Sequence, residues 1–152
     1  VMKALPDASL DQLFLTARTR NGWSPETVSE ALIREVYGLA KWGPTSGNCC
    51  PGRFLFLTSD DAKQRLAPFM SSGNRAKTLQ APVNVIIGFD LDFAETLPTL
   101  FPHAPGAKDR FADDERREQA AQRGLGKQLS GAVVHGGGSP FCVVTHCVTR
   151  RI

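Results

Sequence analysis

The sequence predicts one domain built from both helices and strands. Apolar residues recur at helical spacing in 29–40, and two compact apolar runs, 54–57 and 82–89, sit between turn residues. The composition, 41% hydrophobic and 22% charged over 152 residues, is that of a globular protein with room for a core.

Ser9-Leu10-Asp11-Gln12 has the S-x-x-Q form of a capping box and opens an apolar pattern at Leu10, Leu13, Phe14 and Ala17. This first short helix ends near residues 16–19, before the Asn21-Gly22 break. A second helix starts at Ser29, carries Leu32, Ile33, Val36, Tyr37 and Ala40 on one face, and stops at Gly43-Pro44. Residues 54–57 (FLFL) read as a buried strand, and Ser59 can cap a helix over 60–66 with Asp60 and Asp61 in its first turn. Residues 71–74 (SSGN) read as a loop, and 82–89 (PVNVIIGF) as the strongest strand in the chain. Three prolines and a glycine in 98–109 predict an irregular surface excursion, followed by a solvated helix over 111–123.

Charge argues against nucleic acid as a partner. Residues 1–123 hold fifteen Lys/Arg and fifteen Asp/Glu, so the formal excess of +3 is Lys127, Arg150 and Arg151 alone, too scattered to track phosphates. The longest apolar run, 83–89, is too short to span a bilayer, and the first twenty residues hold five charges and no apolar signal core. A cytoplasmic protein is expected. Cys49, Cys50, Cys142 and Cys147 are too few for a disulfide scaffold, and adjacent cysteines do not match zinc-ligand spacing, so no metal is expected.

Three segments bear on function. Pro44-Thr45-Ser46-Gly47-Asn48 follows a helix with small hydroxyls, an amide and a glycine, a set that lets backbone N–H groups approach a phosphate or a flat ring closely. Arg18-Thr19-Arg20-Asn21 offers cations and an amide at the end of the first helix, and Asn74 and Lys77 lie one helical turn apart. Taken singly, each is more often an ordinary turn or a solvated helix end.

In order, however, ARTRNGW (17–23), KWGPTSGNCCPGRF (41–54), SSGNRAKTLQAPV (71–83) and LPTLFPH (97–103) resemble the nitroreductase family of FMN enzymes. More narrowly they resemble its malonic semialdehyde reductase branch, also described as NADH dehydrogenase/NAD(P)H nitroreductase. The resemblance runs from about Leu10 to about Arg123. It implies an α+β fold, a nitroreductase-like central mixed sheet flanked by helices, and a homodimer with FMN at the subunit interface. NAD(P)H is the implied co-substrate, and the implied acceptor is a small aldehyde acid (malonic semialdehyde giving 3-hydroxypropanoate), a nitro compound or a quinone, by ping-pong hydride transfer. The same resemblance implies that FMN is bound by Arg18 and Asn21, by Thr45, Ser46 and Asn48 from the partner subunit's loop, and by Asn74 and Lys77. Cys49-Cys50 departs from the branch pattern, and Cys50 reads as a small buried residue.

After Arg123 the resemblance stops. Residues 124–152 contain six of the fourteen glycines, two of the three histidines and no acid, and VVHGGGSP follows neither helical nor strand period. We therefore expect 1–123 to be the N-terminal part of an FMN-binding domain, incomplete at its C-terminus, and 124–152 to be a divergent tail. VVTHCVT (143–149) is a strand by propensity alone. A shifted reading frame would explain the break: back-translated and read one base later, VVHGGGS permits an apolar helical stretch. Losing a core helix would remove tens of kcal/mol of burial at about 25 cal/mol per Å2, against a net stability of about 5–15 kcal/mol. A chain so altered is expected to fold poorly or to bind FMN weakly. Two alternatives follow: a non-catalytic remnant of such a flavoprotein and, further off, a Cys/His metal-binding module.

Overall fold

The computed structural model describes residues 4–16, 18, 22–131 and 141–144. Among the described residues three strands form one sheet in the order β1 (Gly52–Leu57), β2 (Val83–Phe89), β3 (Phe141–Val144). The Asp90 N–H donates to the Pro51 carbonyl at 2.9 Å, so the start of β1 meets the end of β2 and the two run antiparallel. β2 lies in the middle, and five of its seven residues are buried, as its continuous apolar run requires. β1 lies at the edge and alternates, leaving Leu55 58% exposed; the fully buried strand expected at 54–57 is half-buried because only one face is covered. The strand expected over 143–149 is represented by β3, and residues 145–149 lie outside the described residues.

The chain packs as two compact units. In one, α1 (Asp7–Leu10) passes into a wide π-type turn over Asp11–Leu15, closed by the Thr16 N–H on the Asp11 carbonyl at 2.8 Å. The expected capping box does not form. The helix begins earlier, after Pro6, whose carbonyl takes the Ser9 and Leu10 amides, so Ser9 lies inside the helix. In the same unit α3 (Asp60–Leu66) is capped as its sequence predicts, the Ser59 hydroxyl accepting from the Ala62 N–H at 3.3 Å. A 3-10 turn over Ala67–Phe69 leads to α4 (Ser72–Gln80). Gly73 and Asn74, expected in a loop, therefore lie in the first turn of α4, where the Asn74 N–H reaches the Ser71 carbonyl at 2.9 Å. Buried Lys63 reaches the Ala81 carbonyl at the C-terminal end of α4 at 3.3 Å, where a cation meets the negative end of the helix dipole. Asn84, fully buried, donates to the Thr78 carbonyl at 2.9 Å.

The second unit holds α2 (Glu30–Ala40), α5 (Leu97–Leu100) and α6 (Asp114–Gly131). α2 falls where its periodicity places it, and Tyr37 packs edge-on against Phe54 at 5.8 Å. The core includes Val85, Ile87, Phe89, Phe93, Ala94, Leu97, Ala107, Ala121 and Leu125. The expected irregular stretch 98–109 is partly helical: α5 and a 3-10 turn over Pro105–Phe111 bury Leu97 and Ala107. Prolines sit at the first positions of both turns, where a missing N–H breaks nothing. The helix expected over 111–123 starts at Asp114, capped by Asp113 on the Arg116 N–H at 2.9 Å, and runs past Arg123 to Gly131. Among the described residues no helix is long and apolar enough to cross a membrane.

Candidate functional site

The chain leaves α2 through a tight turn, Gly43 N–H on the Ala40 carbonyl at 3.2 Å, and Pro44 prevents the helix from resuming. Thr45 is extended, and Ser46–Asn48 make one 3-10 turn. Gly47, Asn48 and Cys50 have φ of +60°, +51° and +39°. Glycine adopts this region freely and asparagine tolerates it, whereas a cysteine there costs about 1–2 kcal/mol that neighbouring contacts must offset.

Those contacts are present. The Thr45 hydroxyl accepts the Cys50 N–H at 3.1 Å and lies 3.6 Å from the Cys50 sulfur. The Cys50 thiol donates to Asn48 Oδ1 at 3.3 Å, and Asn48 Nδ2 donates to the Leu100 carbonyl of α5 at 2.8 Å. Downstream, Arg53 donates to the carbonyls of Cys50 and Gly52 at 3.2 and 3.0 Å and pairs with Asp90 at the end of β2. Below the loop Cys49, 3% exposed, and buried Pro51 face Gly124 of α6. The buried thiol is thus Cys49; Cys50, expected to be buried, is only half-buried, because the reversed backbone turns its side chain back toward Thr45 and Asn48.

The loop's outer side is open. Ser46, Gly47 and Asn48 are exposed, and nothing lies within 4 Å of where a Gly47 Cβ would be. Short side chains over a fixed backbone suit a flat ring such as an isoalloxazine, which needs close approach and no bulk.

In the other unit, Asn74 and Lys77 lie three residues apart on α4, on the same side of the helix. Asn74 is exposed and Lys77 half-buried, so an amide and an ammonium are presented together. Arg18, exposed, donates to the Leu15 carbonyl at 3.0 Å at the end of the first helical segment. Asn21 lies outside the described residues. The seven candidates thus fall into two clusters, Thr45, Ser46 and Asn48 in one loop and Asn74 with Lys77 on one helix, beside Arg18 and the undescribed Asn21.

The residues that fix the loop, Leu100, Arg53, Asp90 and Gly124, are not among the expected site residues. Leu100, Asp90 and Gly124 lie tens of residues away in sequence, a separation for which local sequence carries no signal, whereas Arg53 folds back on carbonyls one and three residues before it.

No family model matches the chain. A Caulobacter vibrioides protein provisionally named NADH dehydrogenase/NAD(P)H nitroreductase is 56% identical over 122 residues, covering 80% of this chain and 63% of that protein. The chain thus spans just under two thirds of such a relative's length. A provisionally assigned nitroreductase from Exiguobacterium sibiricum, solved in complex with FMN, superposes with a TM-score of 0.71 at 15% identity, covering 82% of this chain and 67% of that one. A provisionally assigned NAD(P)H:FMN oxidoreductase from Staphylococcus epidermidis superposes with a TM-score of 0.65 at 14% identity, covering 80% and 65%. Over 122 residues the chain is thus similar in sequence to a protein named for NAD(P)H nitroreductase activity, and its fold is that of solved nitroreductases, the α+β architecture that the resemblance implies.

Proposed function

We propose that the chain is the FMN-binding part of an NAD(P)H-dependent oxidoreductase. The observation that carries this reading is the 44–50 loop, with positive φ at Gly47, Asn48 and Cys50, held by the side chains of Thr45, Asn48 and Cys50 and open over Gly47. It is supported by the names of relatives that share over half their residues with this chain across the same region.

Arg18, Asn21, Asn74 and Lys77 of one copy would hold FMN, with the loop of a second copy contributing Thr45 and Ser46 and, through the turn it fixes, Asn48. The Lys77 ammonium supplies positive charge where a reduced ring becomes anionic, and the Asn74 amide both donates and accepts. The loop supplies backbone and small side chains that exclude water from one face. Bound there, FMN would supply hydride transfer from NAD(P)H to a second substrate in two half-reactions. We propose a small aldehyde acid, malonic semialdehyde, as that acceptor, ahead of nitro compounds and quinones. The second copy is supported by Leu39 and Trp42 at the end of α2, 71% and 78% exposed, large apolar groups of the kind interfaces cover. A cytoplasmic location is part of the same reading.

The test is anaerobic mixing of the FMN-reconstituted chain with NADH or NADPH, followed by malonic semialdehyde. Bleaching of the oxidised flavin band, and its return on adding the aldehyde acid, are the expected results. A flavin that stays oxidised would overturn the reading.

A further inference from the structure

The loop contains more side-chain bonding than a ligand-facing segment needs. Asn48 uses both ends of its amide inside the protein: Nδ2 on the Leu100 carbonyl at 2.8 Å and Oδ1 on the Cys50 thiol at 3.3 Å. Thr45 closes the same ring through the Cys50 N–H at 3.1 Å. Two non-glycine residues at positive φ, Asn48 and Cys50, are the two joined by the thiol–amide bond. The strained conformation and the bonds that offset it coincide.

We propose that Asn48 and Cys50 form a latch that positions the loop. They hold its left-handed turn against α5 before any cofactor arrives, leaving Ser46 and the loop backbone to meet the ring. Asn48 acts here as a positioning residue. The cofactor part rests on the FMN reading above, but the latch itself is a property of the flavin-free chain.

Two measurements on the full chain separate these parts: the alkylation rate of Cys50 in flavin-free protein, followed by peptide mass mapping, and FMN affinity by fluorescence titration. N48G keeps a residue suited to positive φ but removes both bonds. It should alkylate Cys50 about fivefold faster and bind FMN about tenfold more weakly, as expected for losing one to two hydrogen bonds. C50S retains an O–H donor and should restore FMN affinity to near that of wild type, whereas C50A should not.

An unchanged Cys50 alkylation rate in N48G, with FMN affinity lowered, would make Asn48 a direct ligand and overturn the latch. Equal FMN affinities for C50S and C50A would likewise overturn it. No FMN binding by the unsubstituted chain would sink the functional reading, while a faster-alkylating N48G would still uphold the latch.

Discussion

Gly124 of α6 lies so close to Pro51 that a Cβ built on it would meet the proline Cγ at 2.8 Å and Cδ at 3.1 Å, with the Cys49 sulfur at 3.2 Å. The floor of the 44–50 loop is therefore set by a helix position without a side chain. The proline ring cannot swing aside as the tip of a flexible side chain would.

G124A gains about 1 kcal/mol of helix propensity but overpacks by about 1–3 kcal/mol, so a net loss of about 1 kcal/mol is expected. G126A, two residues on with nothing within 4 Å of its Cβ position, should gain up to about 1 kcal/mol. Urea midpoints of the two variants should move in opposite directions. Midpoints rising together would mean that α6 does not press on the loop.

Lys63 tests a buried cation. Its side chain is 8% exposed, with Nζ 2.9 Å from an Asp60 carboxylate that is 87% exposed and 3.3 Å from the Ala81 carbonyl. The carbonyl is the partner that matters, because an exposed ion pair contributes about 0–1 kcal/mol. K63M should lose about 1–3 kcal/mol by leaving that carbonyl unpaired, and D60N less than about 1 kcal/mol. Comparable losses in thermal melts would contradict this ranking.

Asn84 is fully buried in β2 and holds the Thr78 carbonyl through Nδ2, while its Oδ1 has no protein partner. N84D should destabilise by more than about 2 kcal/mol at neutral pH, since burial penalises the carboxylate and removes the donor. Burial raises the aspartate pKa in the folded state, so the folded protein retains the proton that the unfolded chain releases. Stability then falls as pH rises above the unfolded value of about 4, and denaturation of N84D at pH 4 and 7 should show the lower midpoint at pH 7. A pH-independent midpoint would place residue 84 in contact with water.

Lys77 and Asn74 test the cofactor cluster on α4. K77M and N74A should each weaken FMN by about 1.5–3 kcal/mol, the worth of a charged or charge-assisted hydrogen bond, without moving the melting temperature of flavin-free protein. Loss of fold in either variant, detected by circular dichroism, would assign them to structure instead.

The sequence made α2, α3, β2 and the Ser59 cap legible because periodicity, capping and apolar runs are local properties. It misled at Ser9, where Pro6 three residues earlier opens the helix, and where tertiary contacts decide. Burial of Leu97 and Ala107 ordered a proline-rich stretch, and α6 continued across a change of composition at Arg123. The positive-φ turn at Gly47 and Asn48 agrees with the residue types of the loop. Its fixation by Leu100 and Gly124 could not be read, because nothing local encodes which carbonyl or helix a loop will meet.

We propose that FMN is held by the Asn74–Lys77 face of one copy and the 44–50 loop of a second. The test is titration of FMN fluorescence with the full chain, beside K77M and N48G. Saturable quenching is expected, weak enough for the flavin to be lost on gel filtration, and weaker still in both variants. Quenching that never saturates, or that is the same in all three proteins, would contradict it.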